Sequence, residues 1–204
     1  MKKAVLILSA ISIISCKTDN NSSLKVENEN VKTETLKTED NAELKTETTK
    51  ALPKFATLEE LLKDAGDFNE EDNSLKFISR DKKKLHVQVS KTILKDDPES
   101  VKTEIVKRDI IYIAFQTFAQ TDINELTITS IPIDYFNRKK YFENYKLTVN
   151  INREKAKDIL KKYLETEDFS ILYEEQDKMW LPSKKFSILK FEKLNEVFNA
   201  MSEK

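Results

Sequence analysis

One cysteine and one histidine bound the chemistry open to this chain of 204 residues. If Cys16 is consumed by modification, no thiol is left for a disulfide, a zinc site or a nucleophile. His86 has no second imidazole to share a metal with and none to orient it as a base. It also falls on the polar side of Leu85-His86-Val87-Gln88-Val89, the outward side of an expected strand. Carboxylates are plentiful, in Glu70-Glu71-Asp72, Asp96-Asp97 and Glu174-Glu175-Asp177. A calcium loop needs carboxylates at alternating positions around a turn glycine, and none of the three fits, so no metal site is expected. Two acids from distant stretches could still converge as a hydrolase pair. Gly66 is the only glycine. Phosphate loops, dinucleotide fingerprints and nucleophile elbows need several, so none of these can be built and no cofactor is expected.

Cys16 closes a segment with its own character. Lys2 and Lys3 precede Ala4 to Ile14, where only Ser9 and Ser12 are polar, and the chain beyond turns abruptly hydrophilic. A basic start and a short apolar run make a secretory signal, too short for a stable bilayer span. Its end, Ile13-Ile14-Ser15-Cys16, resembles the lipobox of bacterial lipoproteins. That resemblance covers residues 1–16 alone. It implies that residues 1–15 are removed, that the Cys16 thiol receives a diacylglycerol, and that the new amino terminus is acylated with a fatty acid such as palmitate. Stable anchoring takes about two chains, so a triacylated cysteine would fasten the protein to the cell envelope for good. Lys17 is not the aspartate that such lipoproteins use for inner-membrane retention, which favours the outer membrane. A plain secretion signal with an incidental cysteine is the alternative.

Residues 16–52 read as the lipidated cysteine followed by a disordered tether. The stretch is rich in Lys, Thr, Glu and Asn, lacks aromatic residues, and repeats Lys-Thr-Glu at Lys32 to Glu34, Lys37 to Glu39 and Lys45 to Glu47. Too little apolar surface is available to offset the ordering entropy. Fully extended, such a tether of about 36 residues reaches at most about 120 Å. The whole chain carries 35 basic and 36 acidic residues, a net charge of −1, with the signs interleaved. That balance gives no reason to expect nucleic acid as a partner.

The aromatic residues begin at Phe55, which places the folded domain at residues 53–204. Thr57, Glu60 and Gly66 predict a helix with a capping box and a glycine stop. Leu75 to Arg80 and Leu85 to Ser90 predict a hairpin. Asp97 as cap, followed by Pro98, opens a long helix to about Ala119. Within it Ile110 to Phe115 is apolar on every side, so a sheet plus other helices, or a partner subunit, must cover it; a buried strand competes. Glu125 to Ile133 and Tyr145 to Ile151 predict a second hairpin, with Pro132 at an edge or bulge. Asn152 caps a further helix, and Leu194, Val197, Phe198 and Met201 mark the last one. The expected class is α+β: an antiparallel sheet of two β-hairpins, in the order α-ββ-α-ββ-α, with helices packed on it and a C-terminal helical addition. This order resembles that of type III secretion chaperone-like domains, often dimeric, although only Ile93-Leu94 is available for their third strand.

Two features suggest binding. The hairpin turns Lys82-Lys83-Lys84 and Arg138-Lys139-Lys140 would form one basic patch if the sheet brings them to one edge. Trp180, between Met179 and Leu181, is a candidate hydrophobic anchor. The sequence therefore reads as a membrane-anchored envelope lipoprotein whose non-enzymatic domain binds a protein or an envelope component. Its partners would be the bilayer, through acylated Cys16, and an unnamed ligand, with a homodimer open. The alternatives are an envelope-polymer hydrolase using acidic residues and a self-associating structural lipoprotein.

Overall fold

Threonine, glutamate and glycine set the limits of the first helix as their chemistry requires. In the computed structural model, which describes residues 51–203, α1 spans Leu58–Ala65. The Glu60 N–H donates to Thr57 Oγ1 at 3.1 Å, and the Ala56 N–H donates to the Glu60 carboxylate at 3.1 Å. Gly66 sits at φ 70° and donates its N–H to the Leu62 carbonyl. Leu58, Leu61 and Leu62 face the core. The signal segment, Cys16 and most of the expected tether lie outside the described residues.

Both expected hairpins form. Strands β1 (Leu75–Ser79) and β2 (His86–Val89) pair antiparallel. Further along come β3 (Thr92–Ile93), helix α2 (Glu99–Gln120), β4 (Glu125–Ser130) and β5 (Ile133–Asp134). Strand β6 (Leu147–Asn152) pairs antiparallel with β4. The main sheet has the order β1-β2-β4-β6, so the two hairpins meet at β2 and β4. Their pairing there is parallel, from His86↔Thr127 to Val89↔Ser130, which corrects the wholly antiparallel expectation at this one seam. The reason is α2: a parallel neighbour needs a long crossover, and this helix carries the chain back between β2 and β4.

The expected strand through Ile133 is split. Pro132 has no N–H for a ladder; its carbonyl accepts from the Phe142 N–H at 2.9 Å. Beyond it β5 pairs in parallel with β3 as a separate small sheet. Tyr145 falls in the short 3₁₀ turn Glu143–Tyr145 rather than in β6.

Helix α2 is the central element, and the competing strand reading of Ile110 to Phe115 is overturned. Ile110, Ile111, Ile113, Ala114 and Phe115 are fully buried. The sheet strands β4 and β6 pack on it, as do α1 and the C-terminal elements. Its apolar run is thus covered within the chain. Asp97 does not cap it. Pro98 takes the N-cap place, and the displaced Asp97 carboxylate accepts instead from the Leu94 N–H at 2.8 Å.

After β6 the Asn152 side chain caps α3 (Arg153–Leu164), accepting from the Lys155 N–H at 2.9 Å. A hairpin of β7 (Tyr173–Gln176) and β8 (Met179–Pro182) follows. The chain then passes through α4 (Lys184–Ser187) and a π turn (Ile188–Glu192) into α5 (Leu194–Ser202). Leu194, Val197, Phe198 and Met201 are buried, as their spacing predicts. The fold is α+β, with helices packed on a four-stranded sheet.

Candidate ligand-binding groove

At the end of the sheet where β1 turns into β2, three chain segments leave a groove of about 640 Å³ between them. The first is the entry to α1. There the Phe55 N–H donates to the Gln120 carbonyl at 2.8 Å and Lys54 Nζ donates to the Ala119 carbonyl at 2.8 Å. Those bonds pin the segment to the C-terminal end of α2 and set the Phe55 ring in the groove wall. The second is the β1–β2 turn with its flanks, which contributes Phe77, Arg80, Lys82, Lys83 and Leu85. The third is the α2–β4 connection, with Ile123 among its contributors.

Arg80 is fixed as part of the wall. Its Nη2 donates to both Glu70 oxygens at 2.9 and 3.0 Å, its Nε to Glu59 at 3.3 Å, and its guanidinium lies 4.3 Å from the centre of the Phe77 ring. Lys82 and Lys83 differ, since neither has an ion pair among the described residues. The turn carrying them is shaped by Asp81, whose side chain accepts from the Lys83 N–H and whose carbonyl accepts from the Lys84 N–H, each at 2.9 Å. Apolar side chains share the lining with two ammonium groups and with the carboxylates of Asp122 and Glu125, none of them ion-paired among the described residues, which suits a ligand with an apolar body and charged groups. Glu59, Asp122 and Glu125 line the same groove.

The second basic turn is elsewhere. Lys82, Lys83 and Lys84 lie where β1 ends and β2 and β4 begin; Arg138, Lys139 and Lys140 lie beyond the end of β4. The two turns therefore occupy opposite ends of the sheet, and the single basic patch does not form. Arg138 forms an ion pair with Asp72, and Lys140 Nζ is 3.6 Å from Asp134. Burial alone would raise Asp72, but bonds from Ser74 and Arg138 hold its carboxyl below the usual range.

Trp180 faces inward. It lies opposite Glu175 on the hairpin and packs, half-buried, against the core, while Met179 and Leu181 on either side are exposed. Its indole N–H is buried without a hydrogen-bond partner among the described residues. His86 keeps to the open face of the sheet, where Nε2 is 2.9 Å from Thr129 Oγ1, itself 2.8 Å from Thr148 Oγ1. Burial and the nearby Lys146 lower its pKa, so the imidazole is neutral near pH 7. Among the described residues no cluster of three His, Cys, Asp or Glu side chains is arranged to hold a metal ion.

Two features carried no signal in the sequence. The groove residues Phe55, Phe77 and Ile123 come from separate stretches. Asp109 stands just before the apolar run of α2, after Lys107-Arg108, and its carboxylate accepts from Ser130 Oγ at 3.2 Å in the core. Burial pushes its pKa up to about 7, against the opposing pull of Lys91, the Ser130 bond, Arg108 and Lys190.

No family model, curated protein or solved structure matches this chain, so the likeness to secretion chaperone-like domains gains no support.

Proposed function

We propose that this protein is a lipid-anchored lipoprotein of the cell envelope, held in the outer membrane through acylated Cys16, whose folded domain binds a protein or envelope component without transforming it. The groove carries this reading. Its lining of Phe55, Phe77, Leu85 and Ile123 offers apolar contact, and Lys82 and Lys83 offer charge to an anionic group. The residues after Cys16 give the domain reach from the bilayer, and Phe55 is where the chain coming from Cys16 joins the groove wall.

Metabolic labelling with an alkyne fatty acid tests the anchor: label and membrane partition are expected in the native chain and lost in Cys16→Ser. A photoreactive residue placed at Asn124, which also lines the groove, tests it in growing cells. An adduct is expected there, absent from the same probe at Met179, and lost when Phe77→Ala is added. Identical adducts from both positions would remove the groove from the account.

The carboxylates of Glu59, Asp122 and Glu125 support a second reading, an envelope-polymer hydrolase that holds its substrate in the same place. Release of soluble fragments from purified envelope polymer, abolished by Asp122→Asn or Glu125→Gln, would favour it. Self-association loses its main motive, because the apolar run of α2 is covered within the chain.

A further inference from the structure

Phe136 is 85% exposed, the most exposed large apolar side chain described, and Tyr135 beside it is 58% exposed. The two rings meet edge to face, with centroids 5.2 Å apart. A dense set of bonds holds them out. Asp134 Oδ1 accepts from the N–H groups of Phe136 and Asn137 at 2.9 and 3.2 Å, and the Asp134 N–H donates to the Lys140 carbonyl at 2.9 Å. The Asn137 side chain accepts from the Lys139 N–H at 3.1 Å. The Tyr135 N–H donates to the Ile93 carbonyl at 2.9 Å, which brings half-exposed Leu94 alongside. Arg138, Lys139 and Lys140 follow directly, and Lys139 has no ion pair among the described residues.

We propose that the loop Tyr135–Lys140 is a second membrane contact, in which Tyr135 and Phe136 insert at the headgroup boundary of an anionic bilayer while Lys139 meets lipid phosphates. Aromatic rings flanked by lysine and arginine are the chemistry of a membrane interface. The size of the patch decides against a protein partner. Three apolar side chains fall well short of the roughly 800 Å² per partner that a stable protein interface buries, whereas a tethered domain needs only a weak second contact. That last step rests on the anchored reading above; the loop's own chemistry does not. The loop lies toward the N-terminal end of α2 and the chain enters at its C-terminal end, since β5 pairs with β3 just before α2 and Phe55 bonds to Gln120. Twenty-two helical residues separate those ends by about 33 Å. The residues between Cys16 and Ala51 are enough to span that distance, so the loop can reach the bilayer that holds Cys16.

The test uses the full chain, purified with its native modification and placed in phosphatidylglycerol or phosphatidylcholine vesicles. Phe136→Trp reports the loop, with the parent protein as the blank for Trp180. Emission is expected to shift to the blue in phosphatidylglycerol and to be quenched by brominated acyl chains, with a much smaller shift in phosphatidylcholine. Adding Lys139→Gln should lower the loop's partition into phosphatidylglycerol about fivefold. Water-like emission in both vesicles, equal shifts in both, or a shift seen only after envelope proteins are added would overturn the proposal. The mass of the Cys16 peptide reads the anchor separately, so failure of the loop and failure of the anchor are told apart.

Discussion

Arg153 Nη1 donates to the Phe118 carbonyl at 2.7 Å, joining the first turn of α3 to the last turn of α2. Its Nη2 donates to the carbonyls of Thr121 and Ile123 at 2.6 and 2.8 Å. One guanidinium thus satisfies carbonyls at the end of α2 and in the connection to β4, where a cation also complements the helix dipole. It stacks on Phe118 and Phe169 as well, 5.2 and 5.5 Å from the ring centres. Because Ile123 lines the groove, this side chain also sets the position of the third groove segment.

Arg153→Ala is expected to lower stability by about 3 kcal/mol, since it leaves partly buried carbonyls without donors. Arg153→Lys should recover only part of the loss, because a single ammonium cannot reproduce the planar fork. Urea denaturation of the three proteins measures both. Equal stability of all three would mean that water replaces the guanidinium without cost.

The core carboxyl of Asp109 makes stability depend on pH. Its folded pKa of about 7 lies above the ordinary 3.8, so the folded state binds the proton more tightly than the unfolded one. Its contribution is therefore fullest below about pH 4 and is lost as pH rises through 7. The groups facing it are Lys91, Arg108, Lys190 and Ser130, and the three cations temper the effect. Asp72, held low, acts in the opposite sense and weakens the fold only in stronger acid. The melting temperature of the native chain should fall between pH 5 and pH 8 by an amount equivalent to at most about 3 kcal/mol. Asp109→Asn should flatten that slope.

Glycine is scarce, and other residues stand in left-handed backbone where it would be at ease. Asp177 and Lys178 turn the last hairpin at φ 50° and 68°, and Glu165 ends α3 at φ 59°. Lys178→Gly and Glu165→Gly should each raise stability by up to about 1 kcal/mol by relieving the Cβ clash. Gly66→Ala should cost about as much, through its φ of +70° alone, because a Cβ there would meet no atom within 4 Å. Thermal melts of the three variants check the pattern of signs.

Lys82 and Lys83 in the groove lining are exposed and have no ion pair among the described residues. Lys82→Glu with Lys83→Glu should abolish capture from the photoreactive groove position, here placed at Phe55, while leaving the melting temperature within a degree or two. A large drop in stability would instead assign the two lysines to the fold.

Much of the secondary structure was legible from short-range chemistry. The capping of α1 by Thr57 and Glu60, its stop at Gly66, the alternation through Val87 and Val89, the Asn152 cap and the stripe of α5 all appear where neighbouring residues dictate. Each depends on contacts a few residues apart, which spacing encodes. The β7–β8 hairpin was missed for the same reason in reverse: Asp177-Lys178 lacks the glycine that signals such a turn, and only the pairing of Tyr173 to Gln176 with Met179 to Pro182 holds it there.

By itself the sequence determined the α+β class, the sole cysteine and histidine, and the single glycine that rules out phosphate loops. Tertiary structure alone decided the parallel seam between β2 and β4, the separation of the two basic turns, the inward placing of Trp180 and the burial of Asp109. It also decided that Phe55, Phe77 and Ile123 share one groove. Those outcomes follow from which distant surfaces must pack to cover the second half of α2. That is a property of the whole chain at once, and no local window of residues contains it.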